Sequence, residues 1–338
     1  MTALAIQSIG AVTAGGPNAA RTMGAIHARI QLFGDSGVDG PVGDAITGAL
    51  TPLRPKPGRL GRVAGLGVLA LADCAAGVAP SPLPVPVVVC CAEAPDLGGP
   101  EGQLLEAILA GAAFPVDRAR SRVLARGKDA VPEALALVAR MLAAREVAGC
   151  YLVGADSLIA PRRLRRLVRA GTIVDGVNSD GFIPGEGAAA LLLVAHADRA
   201  TKAVIAGIGS ARDAAAAKGE PATGRAIGQA LEQALAEARL KPAQLSAAVH
   251  DLSGRYEQFE ELSLAAARPP LSSLPALKMI QTPIASGEIG AASGVLSLAA
   301  ATFFLEHGVA RDAAAALFTS PGPARGAAVL LQPVARGK

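Results

Sequence analysis

Short, wholly apolar runs alternate along this chain with longer amphipathic stretches, and that alternation predicts strands covered by helices. A strand is expected over residues 4–12, followed by a Gly/Pro break and a helix over 19–30. Residues 34–57 are rich in glycine and proline and predict a loop or irregular cap. Helices are expected over 59–76, 101–110, 130–144 and 161–169, and strands over 148–153 and 188–194. The run 87–91 is led by three valines between Pro86 and Pro95, which marks a strand buried on both faces.

The pattern then begins again. Strands are expected over 203–210, 247–252, 313–318 and 327–331, and helices over 222–240, 256–267 and 290–306. Two successive α/β halves, residues 1–200 and 201–338, imply helices packed on mostly parallel sheets. The halves share no obvious sequence identity, so the repeat is one of form.

Composition narrows the picture. Hydrophobic residues make up 51% of the 338 and charged residues 18%, enough to bury a large core. Aromatic residues are 3% with no Trp, so that core is built from Ala, Val, Leu and Ile. No apolar stretch reaches the roughly 18 residues a membrane span needs. The start of the chain lacks the basic residues of a secretory signal, and a cytoplasmic protein is expected. Cys74, Cys90, Cys91 and Cys150 show no CxxC or metal-ligand spacing and lie in apolar segments, as buried free thiols do. With the histidines scattered as well, neither a metal nor a cofactor site is expected. A net charge of +4 without aromatic interleaving or a basic tail gives no reason to expect a nucleic-acid partner. The concentrated charge is in PRRLRRLVRAG (161–171). Its Arg162, Arg163, Arg165, Arg166 and Arg169 suit an acidic carrier protein, or simply a solvated face over Leu164, Leu167 and Val168.

Five blocks resemble the β-ketoacyl synthases of the thiolase superfamily. IQSIGAVTAGG (6–16) is similar to the family's opening strand and turn. SDGFIPGEGAAALLL (179–193) resembles the family's D-G-F-x-x-G-E-G-A and the apolar strand after it, with every specified position from Asp180 to Ala188 in agreement. Gly181, Gly185 and Gly187 are expected to serve positive φ or close backbone approach there. GCYLVGADSL (149–158) is similar to the strand that follows the nucleophile helix. VHDLSGRYEQFEELSLAA (249–266) resembles the histidine block, and SGEIGAASGVL (286–296) the second histidine block.

The resemblance implies a thiolase-like fold: two similar α/β halves stacked as αβαβα layers. It also implies where the chemistry should stand. Counting back from 149–158 with Arg140 as anchor puts Lys128 where the family keeps its nucleophilic cysteine, at a helix start that favours a thiolate. Asp129 is then an N-cap, and Lys128 is expected to turn to solvent or to an acid. His250 corresponds to the first catalytic histidine and Glu261 to the glutamate eleven residues on, while Leu252 and Gly254 replace two pantetheine-binding threonines. Gly287 falls at the second histidine and Thr282 at the family lysine, with Lys278 displaced from it. Residues 321–327, PGPARGA, correspond to a gating loop but carry neither its Phe nor its Asn.

Condensation needs a thiolate to hold the acyl group and donors for the developing charge. Without the cysteine and the second histidine, the resemblance implies a non-condensing relative, leaning away from an enzyme. Two functions follow: a scaffold or adaptor, of the kind encoded beside bacterial secretion-system effectors, or a partner subunit or atypical acyltransferase in fatty-acid or polyketide assembly. The resemblance further implies a homodimer paired across the sheet of the first half, with the apolar segment 150–153 as its mark.

Overall fold

The computed structural model describes residues 3–52, 58–274 and 277–333; residues 53–57, within the stretch expected to be irregular, lie outside them. Apolar runs become the strands β1 (Leu4–Val12), β2 (Gly34–Asp39), β3 (Ala45–Gly48), β4 (Val87–Cys91), β5 (Arg122–Ala125), β6 (Gly149–Ser157), β7 (Glu186–Val194), β8 (Ala203–Arg212), β9 (Leu245–His250), β10 (Lys278–Gln281), β11 (Ala313–Phe318) and β12 (Ala324–Leu331). The helices are α1 (Ala19–Ala28), α2 (Arg59–Ala76), α3 (Ala94–Leu97), α4 (Glu101–Ala110), α5 (Ala130–Ala143), α6 (Pro161–Arg169), α7 (Arg225–Ala238), α8 (Tyr256–Ala266), α9 (Pro283–Ser286) and α10 (Ser293–Glu306).

Ten strands run in the order β10-β9-β11-β12-β8-β1-β7-β6-β4-β5. The same five-strand arrangement is used twice. Numbered by their own succession, the strands of each set lie in the order third, second, fourth, fifth, first from the free edge inward. In the first set β4 is parallel to β5 and β6, and β7 is antiparallel to β6 and β1. In the second, β9 is parallel to β10 and β11, and β12 is antiparallel to β11 and β8. Among the described residues the two sets are joined as strands where Leu4–Ile6 of β1 pair with Ala203–Ile205 of β8. The sheets are therefore mixed, where mostly parallel ones were expected. Strands buried on both faces are apolar throughout, and such a run carries no mark of its direction.

Three apolar clusters define the layers. α2 and α4 cover the outer face of the first sheet through Val63, Leu66, Leu71, Leu104 and Ile108. α7 and α8 cover the outer face of the second through Ile227, Leu231, Leu235 and Ala265. Between the sheets lie α5 and α10, with α1 beside them. α10 is apolar on every side and almost wholly buried, as a helix packed on both faces must be.

Several short elements were not expected, α3 and α9 among them. β2 and β3 form a hairpin within 34–57 whose Val38 and Ile46 pack with Leu164 of α6. β5 and β10 are four-residue strands at the two free edges of the sheet, too short and too exposed to show a period. Residues 290–292, expected to open a helix, form a separate 3₁₀ turn before α10. The segment 150–153 lies inside β6, buried between β4 and β7, so its apolar character is spent within one chain.

Candidate functional site

The chain ends of the parallel strands converge on one point of the interior. After β5 the backbone turns at Gly127 (φ 58°) into a 3₁₀ turn, Gly127–Asp129, that feeds α5. Asp129 occupies the N-cap position, but its side chain makes no capping hydrogen bond. The Lys128 side chain points inward and is buried.

Its ammonium meets two carboxylates. Nζ lies 3.0 Å from Glu288 Oε2 and 3.2 Å from Asp251 Oδ2, and also donates to the Asp251 carbonyl at 3.3 Å. Asp251 stands just past β9, and its Oδ1 accepts from the Thr319 amide (3.0 Å) and hydroxyl (2.7 Å) at the end of β11. Glu288 stands between α9 and α10, with Oε1 accepting from the Gly290 amide (2.8 Å) and the Ser293 hydroxyl (3.0 Å). The block 179–193 backs this turn: Glu288 donates to Ile183 O, and Gly185 donates to Glu288 O, each at 2.8 Å. Gly185 serves close approach, because a Cβ there would stand 2.3 Å from the Ser286 carbonyl; none of Gly181, Gly185 and Gly187 takes positive φ.

Burial alone would pull the Lys128 ammonium down; the Asp251 and Glu288 charges outweigh it and hold the pKa above the ordinary lysine value. Burial pushes the Asp251 carboxyl up, against the pull of Lys128 and with the Glu288 charge adding to it. One cation thus stands between two buried acids, and the excess of acid over cation is what opposes ionisation of Asp251.

The residues singled out from the sequence divide into those at this point and those elsewhere. Lys128 is at its centre. His250, the residue before Asp251, is not part of the cluster: it ends β9 with its carbonyl accepting from the Thr282 amide at 3.1 Å. Its ring is buried, Nδ1 has no hydrogen-bond partner, and burial brings its pKa down to about 4. Gly287 has φ 62° and backs onto Ala49 and Ile183; the side chain that reaches Lys128 is that of Glu288, the next residue. Both acids thus stand one residue beyond the positions the resemblance assigned. Leu252 is buried, and Gly254 packs against the Gly181 carbonyl. Lys278 is exposed on β10.

Glu261 does different work. It holds Arg325 by two hydrogen bonds, of 2.7 and 2.8 Å, and Arg325 in turn donates to the carbonyls of Ser320, Gly322 and Ala324. The segment 321–327 is therefore tied down by a buried bidentate pair. A second buried network joins Glu186 to Arg62, Ser157 and Thr51.

A cleft of about 800 Å³ reaches the Lys128–Thr319 corner from outside, between the start of α5 (Pro132, Ala136) and β8 (Ile208, Arg212). The amides of Ile208 and Ser210 that face away from β12 are already bonded, to Glu237 at 2.8 Å and Gln233 at 3.1 Å on α7. Among the described residues no group of three His, Cys, Asp or Glu could hold a metal ion. No helix among them is long and apolar enough to cross a membrane.

Asp251 and Glu288 were missed by sequence reasoning. Their signal was present as an acid adjoining each expected histidine position, on loops where one residue of slip leaves no trace in an apolar pattern.

Taken with the repeated strand order, this architecture is the thiolase-like fold of the ketosynthases and chain length factors. Three solved structures illustrate the likeness. The ishigamide ketosynthase/chain length factor superposes with TM-score 0.78 at 15% identity, over 98% of this chain and 99% of that one. The oxazolomycin ketosynthase domain from Streptomyces albus gives 0.77 at 15%, over 99% and 75%. The ketosynthase in complex with its chain length factor from Xenorhabdus doucetiae gives 0.74 at 14%, over 98% of each. At such identities the likeness establishes the fold. No protein-family model matches the sequence. No curated protein matches it either.

Proposed function

We propose that this chain is a non-condensing protein of the ketosynthase fold that works by binding a protein partner. The carrying observation is Lys128, held between Asp251 and Glu288 at the start of α5. An ammonium has no lone pair with which to attack an acyl group, and the oxygens of Asp251 and Glu288 are taken up accepting from Lys128, Thr319, Gly290 and Ser293, leaving no donor aimed at an oxyanion. The covalent route is closed by an ion cluster, and the cleft above it becomes a surface.

The structures of similar fold include ketosynthases paired with chain length factors, which supports a partner subunit in fatty-acid or polyketide assembly as the first setting. An adaptor for a secretion-system effector is the second. The halves 1–200 and 201–338 are the two units of such a scaffold. Pairing, with itself or with a synthase subunit, falls to β5, the free edge of the first five-strand set.

The test is carbon dioxide release and acyl transfer from a malonyl carrier protein, together with affinity purification from the native host. No turnover is expected. Turnover abolished by Lys128→Ala would overturn the proposal. Synthase subunits or a carrier protein among the co-purified chains support the assembly setting, and a toxin supports the adaptor. A strict monomer in sedimentation, alone and with those chains, would remove the role given to β5.

A further inference from the structure

We infer that the corner where the β2–β3 hairpin, the loop 174–181 and the start of α8 meet is a docking surface for a basic segment of a partner protein with apolar side chains at its centre. Val177, Val42 and Tyr256 are 69%, 67% and 66% exposed, the three highest values for large apolar side chains among the described residues. They belong to one place. A Cβ on Gly176 would stand 2.7 Å from Val42 Cγ2, so the hairpin tip and the loop are pressed together. Asp44 fastens them, accepting from the Gly176 amide at 2.7 Å. Asp180, at the far end of the loop, accepts from the Tyr256 amide at 2.6 Å and holds the start of α8 beside it. Val38 and Ile46 of the hairpin share a small core with Ile173 and Phe182, which flank the loop.

Local structure gives the two valines no reason to be there. Other residues make the turns around them. The hairpin tip has Pro41 and Gly43 (φ 82°), and in the loop Asp175 Oδ1 accepts from the Val177 and Asn178 amides. A polar residue would serve either position equally well in the fold, and exposed apolar side chains grouped in this way mark interaction sites.

The charge around them names the occupant. Residues 34–48 and 172–184 contain five aspartates, Asp35, Asp39, Asp44, Asp175 and Asp180, and no Lys, Arg, His or Glu. None of the five has an ion pair with any described residue, although cations stand near. Arg163 and Arg166 of the adjoining α6 are given to Asp96, and Arg255 beside α8 to Glu257. The carboxylates are spread along both loops, and no three of them are grouped to hold a metal ion. Their complement is a set of spaced cations, Lys or Arg, on either side of one or two large apolar side chains.

A few residues on, the same block of chain braces Glu288 through Ile183 and Gly185, so a short stretch of backbone joins this surface to the ion cluster. The surface gives the chemistry of the partner that the proposed function calls for, and rests on that reading for there being a protein partner.

The probe is a short fluorescent peptide in which lysines flank two leucines, beside one with serines for the leucines and one with glutamates for the lysines. Calcium ion alone stands for a chelated metal, and sedimentation reports a second copy of the chain. Saturable binding of the lysine–leucine peptide is expected, weakening about tenfold from low to high salt. Asp39→Asn/Asp175→Asn/Asp180→Asn should weaken it by about tenfold, and Val42→Ser/Val177→Ser by about as much. Asparagine keeps the accepting oxygen of each turn and the valines are exposed, so both variants should hold the wild-type melting temperature. Should the first melt early, the second carries the test, since it alters no side-chain hydrogen bond. No binding by wild type, equal binding of the serine or glutamate peptide, or equal binding by a folded variant would each overturn the inference. So would a calcium site that competes with the peptide, or a dimer undone by Val42→Ser/Val177→Ser. Turnover in the malonyl assay would instead sink the proposed function and leave the peptide result standing.

Discussion

Lys128 is where physical chemistry departs furthest from what a helix start ordinarily accepts. Its ammonium opposes the dipole of α5, and only the two carboxylates make burial tolerable. Lys128→Met should therefore cost about 3–5 kcal/mol of stability, because it strands two buried acids. Adding Asp251→Asn and Glu288→Gln to it should recover most of that, as read from urea midpoints. Lys128→Cys meets the same acids. Their field raises the pKa of a thiol placed there, against the lowering that a bare helix start would give, so its alkylation should be slow. His250 makes the second residue-scale prediction. Its folded pKa of about 4 lies below the unfolded value of 6.5, so the unfolded chain binds the proton first. The associated stability is complete above pH 6.5 and is lost as pH falls towards 4, to the extent of roughly 3 kcal/mol. His250→Gln should flatten urea midpoints measured across that window. What the sequence disclosed at this scale was uneven. Lys128 could be placed by counting along a helix, whose period keeps register. Asp251 and Glu288 follow strand or turn ends, where a single residue of slip alters the site and leaves the hydrophobic pattern untouched.

Elements were most legible where one face is apolar over several turns, and α2, α4 and α6 fall on the expected residues. β5 and β10 were illegible because four residues at a sheet edge bury too little to impose alternation. The fit between elements also depends on residues whose importance composition hides. A Cβ on Gly209 of β8 would stand 1.9 Å from the Ala230 carbonyl of α7, and one on Gly10 of β1 would stand 2.1 Å from the Ala70 carbonyl of α2. Each opening strand meets its outer helix at glycine, at Gly10 in the first set and at Gly209 and Gly207 in the second. Gly209→Ala should destabilise by about 2 kcal/mol or more, since backbone must move. Gly24→Ala, in α1 with nothing within 4 Å, should stabilise by roughly 0.5–1 kcal/mol through helix propensity and a less flexible unfolded chain. Denaturant titration of the two variants reads opposite signs.

At the scale of the whole molecule, the doubled α/β rhythm was legible and the strand directions were not, because buried strands look alike whichever way they run. The layered stack could be expected from the resemblance; that α5 and α10 would stand at equivalent places in the two five-strand sets comes only from the topology. Lys128 precedes α5, and Glu288 precedes α10. The ion cluster is thus a seam between the starts of two matching helices, with the cation supplied by one set and both acids by the other. Neither half could close its inner face alone and remain at ease, since one would bury a lone ammonium and the other a pair of carboxylates. Alike in strand order, the two sets are lock and key to each other, and an exchange of either one with a neutral-seamed relative would leave a charge with nowhere to go.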